Sequence, residues 1–135
     1  MYRITNYIFP PYFNAPESKQ FIAKAAAGMI ASFSEQRRNV VQAGGCAGLW
    51  PLALSTFFEH VYTFEPAPNN FKCLAHNTAG IPNISAYDYA LSDTRRLANL
   101  SRPKLRAGAW QVDEAGKEMK PRLPDSDAEI AHDPI

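Results

Sequence analysis

Three short apolar runs punctuate the middle of this chain, and helix-like stretches precede or separate them. Asn39, Val40 and Val41 open the first run, which breaks at Gly44-Gly45 and passes through Gly48 into an apolar helix-like segment from Leu49 to Phe58. Val61 to Phe64 is the second run and ends on Glu65; Ile84 to Tyr89 is the third and leads into Ala90-Leu91-Ser92-Asp93. Between the second and third, Pro66 stops a strand and Pro68 suits a first helical position. Phe71, Leu74 and Ala75 then give one apolar face, and Gly80 with Pro82 closes the helix. Upstream, Ile22, Ala26, Met29, Ile30 and Phe33 recur at helical spacing while Gln20, Lys24 and Glu35 fall elsewhere, which predicts an amphipathic helix packing on a sheet through those side chains. Asn14 with Glu17 has the spacing of a reciprocal helix cap, and Pro16 is acceptable in the first turn.

The order helix, strand, helix, strand, helix, strand predicts an α/β, Rossmann-like, doubly wound and mainly parallel sheet with right-handed crossovers. Its first turn carries the chemistry. A chain that leaves a buried strand and enters a helix within a few residues needs positive φ, and it needs bare backbone wherever a ligand approaches; Gly44, Gly45 and Gly48 supply both. Glu65 follows Gly44 at the offset of about 20 residues where a carboxylate on the second strand tip accepts hydrogen bonds from a ribose diol. This is half of a nucleotide-binding crevice. Glycine turns of this kind also occur with no ligand, and the placed carboxylate is what argues against that plainer reading.

The flanks are less regular. Residues 1–13 form an arm rich in aromatics and proline, and Pro10-Pro11 forbids a regular helix there. Its Tyr2, Tyr7, Phe9, Tyr12 and Phe13 suit a lid or a subunit contact, or simply a cover over an apolar face. Residues 14–123 are read as the domain. Within it, Arg37-Arg38 marks a solvated turn, and Gly108 to Val112 and Glu118 to Leu123 are short strand candidates that Gly116 would join as a hairpin. Residues 124–135 read as a polar tail.

Composition narrows the functional classes. With 135 residues, 46% hydrophobic and 20% charged, the chain is sized for one ordinary soluble domain. A net charge of +1, from 14 basic and 13 acidic residues, gives no general affinity for nucleic acid or anionic membrane. No apolar run reaches the roughly 18 to 20 residues of a membrane span, and the first residues lack a secretion signal's apolar core, so a cytoplasmic location is expected. Cys46 and Cys73 are expected as free thiols, and no His/Cys/carboxylate spacing makes a metal site. His60 and His76 read as solvated, and His132 falls in the tail. Trp50 is either a wall of the ligand site or a core residue. No residue is nominated as catalytic base.

From Val40 to Asp93 the chain resembles the N-terminal half of class I S-adenosylmethionine-dependent methyltransferases, and within them the FkbM-type family. The family's first strand and turn, approximately V-D-V-G-A-N-x-G, are matched by Val40 through Gly48. Its F-E-P, P-x-N-F and L-x-x-N are matched by Phe64-Glu65-Pro66, by Pro68 with Asn70-Phe71, and by Leu74 with Asn77; its A-L-S-D is Ala90 to Asp93. The resemblance implies S-adenosylmethionine as cofactor, with the backbone of Gly44 and Gly48 near its methionine part, Gly45 also at the cofactor, and Glu65 on its ribose. It places Pro66 at the adenine and Asp88, Ala90 and Leu91 along it. Gln42 stands where the family usually has an acid, so one charge toward the cofactor's ammonium is lost; Cys46 stands where Asn is usual.

The family pattern after Asp93, a further core strand carrying K-x-D-x-E-G, is absent. The chain therefore reads as a fragment, as a subunit completed by another polypeptide, or as a shortened relative without catalysis. The implied activity is O-methylation of a small molecule or sugar, with homo-oligomerisation or a completing polypeptide engaging the arm or an open sheet edge. Two alternatives stay open: a nicotinamide-dependent oxidoreductase, disfavoured because the glycines miss G-x-G-x-x-G, and a non-catalytic assembly module.

Overall fold

A computed structural model describes residues 6–95 and 97–100, and the strand backbone of residues 101, 111–113 and 128–130. Helix α1 (Pro16–Phe33) precedes strand β1 (Asn39–Ala43), helix α2 (Leu49–Leu54), strand β2 (His60–Phe64), helix α3 (Pro68–Thr78) and strand β3 (Ile84–Tyr87). β1, β2 and β3 form a parallel sheet in that order, with Val40 opposite Val61 and Val61 opposite Ile84. β2 is the middle strand, and its Val61, Thr63 and Phe64 are completely buried, as expected for a parallel strand covered on both faces. The expected α/β winding is the observed one.

The helix before β1 packs through a different face from the one expected. Its buried residues are Ala23, Ala27 and Ala31, at i, i+4 and i+8, and they meet Leu49, Ala53, Leu54 and Phe58. Ile22, Met29, Ile30 and Phe33 are exposed instead, Phe33 to 84%. The sequence carries two apolar stripes on one helix, and the alanine stripe lets α1 approach α2 more closely than the bulky one would allow. The Asn14–Glu17 cap does not form either. Ala15, in the left-handed region at φ 46°, precedes the helix with no side-chain cap, and Asn14 instead accepts hydrogen bonds from the Lys19 ammonium through its carbonyl and side-chain oxygens.

Smaller differences follow from turns. α2 ends at Leu54, with Phe58 reached through turns, and Gly80 closes α3 without a positive φ. Arg37 donates its Nε–H to the Ala31 carbonyl at 3.1 Å, closing the end of α1. Beyond β3, strands β4 (Ala98–Ser101), β5 (Gln111–Asp113) and β6 (Ala128–Ile130) form a separate antiparallel sheet in the order β5-β4-β6. β5 overlaps one arm of the expected hairpin, and residues 118–123, the other arm, lie outside the described residues together with Gly116. β4 was not anticipated. Its Leu100 is buried against Ala67, with Tyr89 and Ala90 packed alongside. Within the stretch read as a tail, β6 pairs with β4.

From residue 6 onward the arm lies on the domain, and Tyr2 lies outside the described residues. Phe13 closes a turn onto the Pro10 carbonyl at 2.8 Å, Phe9 and Phe13 stack with centroids 4.9 Å apart, and Tyr7, Phe9 and Phe13 pack on the cluster built around the alanines of α1. Among the described residues no helix is long and apolar enough to cross a membrane, no group of ligating side chains could hold a metal ion, and both cysteines are free thiols.

Candidate functional site

The carboxyl ends of β1 and β2 converge on residues 42–48. Parallel pairing carries Ala43 opposite Phe64, and the Phe64 carbonyl then accepts the N–H groups of both Gly44 and Gly45, at 2.8 and 2.9 Å. This bends the chain away from the sheet. Gly44 has φ 77°, and a Cβ placed on it would meet nothing within 4 Å, so its backbone faces open space. At Gly45 the requirement is packing. A Cβ there would stand 2.6 Å from Thr63 Oγ1 and 2.8 Å from Leu74 Cδ2, so strand β2 and helix α3 close directly on the turn. Gly48, at φ 92°, leads into α2.

Gln42 holds the turn from below. Its Nε2 donates to the carbonyls of Ala43 and Gly44, at 3.0 and 2.9 Å, and its Oε1 accepts from Thr63 Oγ1 at 2.6 Å. The amide is thereby committed to the turn's own groups.

Glu65 extends from β2 straight to the turn. One carboxylate oxygen accepts the Cys46 N–H at 2.7 Å and the other accepts the Ala67 N–H at 2.9 Å, with the residue 4% exposed. Burial drives its pKa above the usual 4.5, while the two amides and the Asn70 side chain pull it down without cancelling that effect. Cys46, in the left-handed region at φ 47°, offers its amide to this carboxylate; burial first and the Glu65 charge second push its thiol up as well.

Two asparagines that the sequence matched to family motifs without giving them a role complete the cluster. Asn70 and Asn77, seven apart and so two turns apart on α3, are buried beside Leu74. Asn77 Nδ2 donates to the Ala47 carbonyl at 2.7 Å and to the Ile8 carbonyl at 2.8 Å, and its Oδ1 accepts the Ile8 N–H at 2.9 Å. Asn70 Oδ1 accepts the Tyr12 hydroxyl, which also interacts with the Cys46 side chain. The usable signal was a pair of amides seven residues apart on the helix face that carries Leu74. The arm is thus fastened to the glycine turn through α3.

Beside the turn lies a cavity of about 290 Å³, lined by Gly44 to Ala47, Leu49 and Trp50 from the turn and α2, and by Phe13, Lys19 and Ile22 from the arm and α1. An adjoining, more open hollow of about 480 Å³ runs along β1 past Gln42 to Ile30 and Trp50. Trp50 lines both and is 37% exposed, so it walls the hollows and does not belong to the core. Of the residues expected at a ligand, Gly44, Gly45 and Cys46 line the first cavity, Gln42 the second, and Glu65 and Gly48 sit buried behind the turn. Pro66, Asp88, Ala90 and Leu91 line neither. Pro66 is half-buried, Asp88 and Leu91 are exposed after β3, and Ala90 packs towards Leu100. His60 bonds Ser85 Oγ across the β2–β3 pair at 2.8 Å, and His76 is exposed on α3.

No protein-family model and no curated protein matches this chain. Solved structures similar to it include the tRNA methyltransferase TrmI of Aquifex aeolicus, 18% identical with a TM-score of 0.47 over 65% of this chain and 34% of that one. The CcbJ methyltransferase of Streptomyces caelestis is 17% identical with a TM-score of 0.45 over 64% of this chain and 37% of that one. An amino pentose methyltransferase of Micromonospora echinaspora, bound to S-adenosylmethionine, is 19% identical with a TM-score of 0.43 over 60% and 36%. The chain spans about a third of the length of each.

Proposed function

We propose that this chain is an S-adenosylmethionine-binding domain of the class I methyltransferase type, FkbM-like in its motifs, serving O-methylation of a small molecule or sugar. The observation that carries the reading is Glu65: a carboxylate on the tip of β2 aimed at the glycine turn, its oxygen 2.7 Å from the Cys46 amide. Bare backbone at Gly44 beside a cavity of about 290 Å³ is the second half of the fit, because a methionine tail needs room against the turn while the ribose diol needs an acceptor close behind it. When bound, the cofactor supplies an electrophilic methyl group. The chain's part is to hold it through Glu65 and the turn and to shield it with Trp50 and Phe13. Tyr12, bonded to Asn70 at the edge of the Glu65 cluster, must yield or share its place when an adenosyl group reaches that carboxylate.

A second reading, a non-catalytic assembly module, is favoured by one observation. Ile22, Met29 and Phe33 leave an apolar stripe of α1 uncovered, and β1, at the sheet edge, carries an exposed Val41. On either reading the partner, a second copy or a completing polypeptide, would use that side, and the protein would work in the cytoplasm.

A thermal-shift titration with S-adenosylmethionine, S-adenosylhomocysteine and NAD separates these functions. A rise in Tm with the first two supports the methyl-donor site. A rise with NAD alone supports an oxidoreductase, and no rise with any of them supports the assembly module.

A further inference from the structure

The cavity beside the glycine turn has a charge that nothing in the turn itself explains. Lys19 belongs to the first turn of α1, where the helix dipole disfavours a cation; Glu17 in the same turn is the charge that position favours. The Lys19 ammonium meets only neutral groups in its described contacts, the carbonyl and side-chain oxygens of Asn14 and the face of the Phe13 ring, 4.6 Å from its centroid. It is the charged residue among those lining the cavity; the others are Phe13, Ile22, Leu49, Trp50 and the turn. The Cys46 thiol, its pKa raised by burial and by Glu65, adds no compensating negative charge at neutral pH.

The adjoining hollow, which Gln42 lines, makes the same point. An amino-acid tail can be recognised through its ammonium or through its carboxylate. Gln42 is neutral, and its amide is spent on Ala43, Gly44 and Thr63, so it offers an ammonium no charged acceptor. We infer that this cavity recognises the carboxylate of an amino-acid-like ligand, with Lys19 as its counter-ion. Resting on the cofactor reading above, Lys19 is the specificity-determining residue for the methionine end of the cofactor. The Asn14 oxygens hold the ammonium until the carboxylate replaces them, a contact with neutral acceptors giving way to an ion pair.

The test compares S-adenosylmethionine with its decarboxylated analogue, which keeps the sulfonium, ammonium and adenosyl groups, by calorimetric titration of the full chain and of Lys19→Gln and Lys19→Arg. The intact protein should bind the carboxylate form at least about tenfold more tightly, the worth of one hydrogen bond to a charged group. Lys19→Gln should abolish that preference without lowering Tm, and Lys19→Arg should retain part of it. Equal binding of the two ligands by the intact protein, or a preference that survives in Lys19→Gln, overturns the inference and leaves the cofactor reading standing. Binding of neither ligand overturns both.

Discussion

Asn77 is the residue whose loss the structure prices most clearly. Its side chain satisfies three backbone groups at once: the carbonyl of Ala47, which is 1% exposed, and both the N–H and the carbonyl of Ile8 in the arm. In Asn77→Ala the two Ile8 groups can return to water as the arm loosens, so each costs only the net worth of a hydrogen bond, about 1 kcal/mol. The Ala47 carbonyl has no such escape and costs about 1–3 kcal/mol as an unpaired buried acceptor. The total is about 3–5 kcal/mol, which for a domain of this size lowers Tm by roughly 10–20 °C. Two measurements check it. Urea unfolding should show the loss of stability, and amide hydrogen exchange should show the Ile8 N–H moving from slow to fast while the amides of β2 stay protected. A loss below about 1 kcal/mol with Ile8 still slow would refute the argument that Asn77 fastens the arm to the turn.

Other expectations follow from the same geometry. Gly45→Ala places a methyl against Thr63 and Leu74 and should cost about 1–3 kcal/mol in urea unfolding at unchanged m-value; a neutral result would mean that α3 is free to move back. Because the folded-state pKa of Glu65 is raised, the native state holds its proton longer than the unfolded chain does. Wild-type stability relative to Glu65→Gln should therefore be greatest below the unfolded value of 4.5 and fall as pH rises through the folded value, and a difference independent of pH would count against it. Met29→Ser and Phe33→Ser should each change stability by less than about 0.5 kcal/mol in the isolated chain, whereas Ala27→Leu should cost about 1–3 kcal/mol; the reverse ranking by thermal melts would restore the bulky stripe as the packing face.

The parallel core was legible because its signals are local. Val40-Val41, Val61 to Phe64 and Ile84 onward are short apolar runs, and the glycines between them have few alternatives to a tight turn. The spacing from Gly44 to Glu65 was likewise readable, since one crossover fixes it and brings the carboxylate to the turn, where its oxygens accept the Cys46 and Ala67 amides. What failed to be read depends on distance between elements. Bulk pointed to Ile22, Met29, Ile30 and Phe33, but side-chain size along a helix says nothing of how near its neighbour can come, and Ala23, Ala27 and Ala31 decided it. Asn70 and Asn77 stood out as motif positions, but their task was not readable because their partners, Tyr12 and Ile8, lie 58 and 69 residues away. Lys19 drew no notice for the same reason; the arm that places Phe13 beside it has no periodicity to follow.

The methyl groups of Ala23, Ala27 and Ala31 do more than fill the core. Lys19 and Ile22 ride on the same rigid cylinder, four residues and one residue before Ala23, so the thinness of that contact sets how far these two side chains stand from the glycine bend. One added carbon at residue 23 would act as a shim, widening the gap across which a ligand must be gripped. A position sealed away from solvent can in this way adjust the fit of a molecule it never meets.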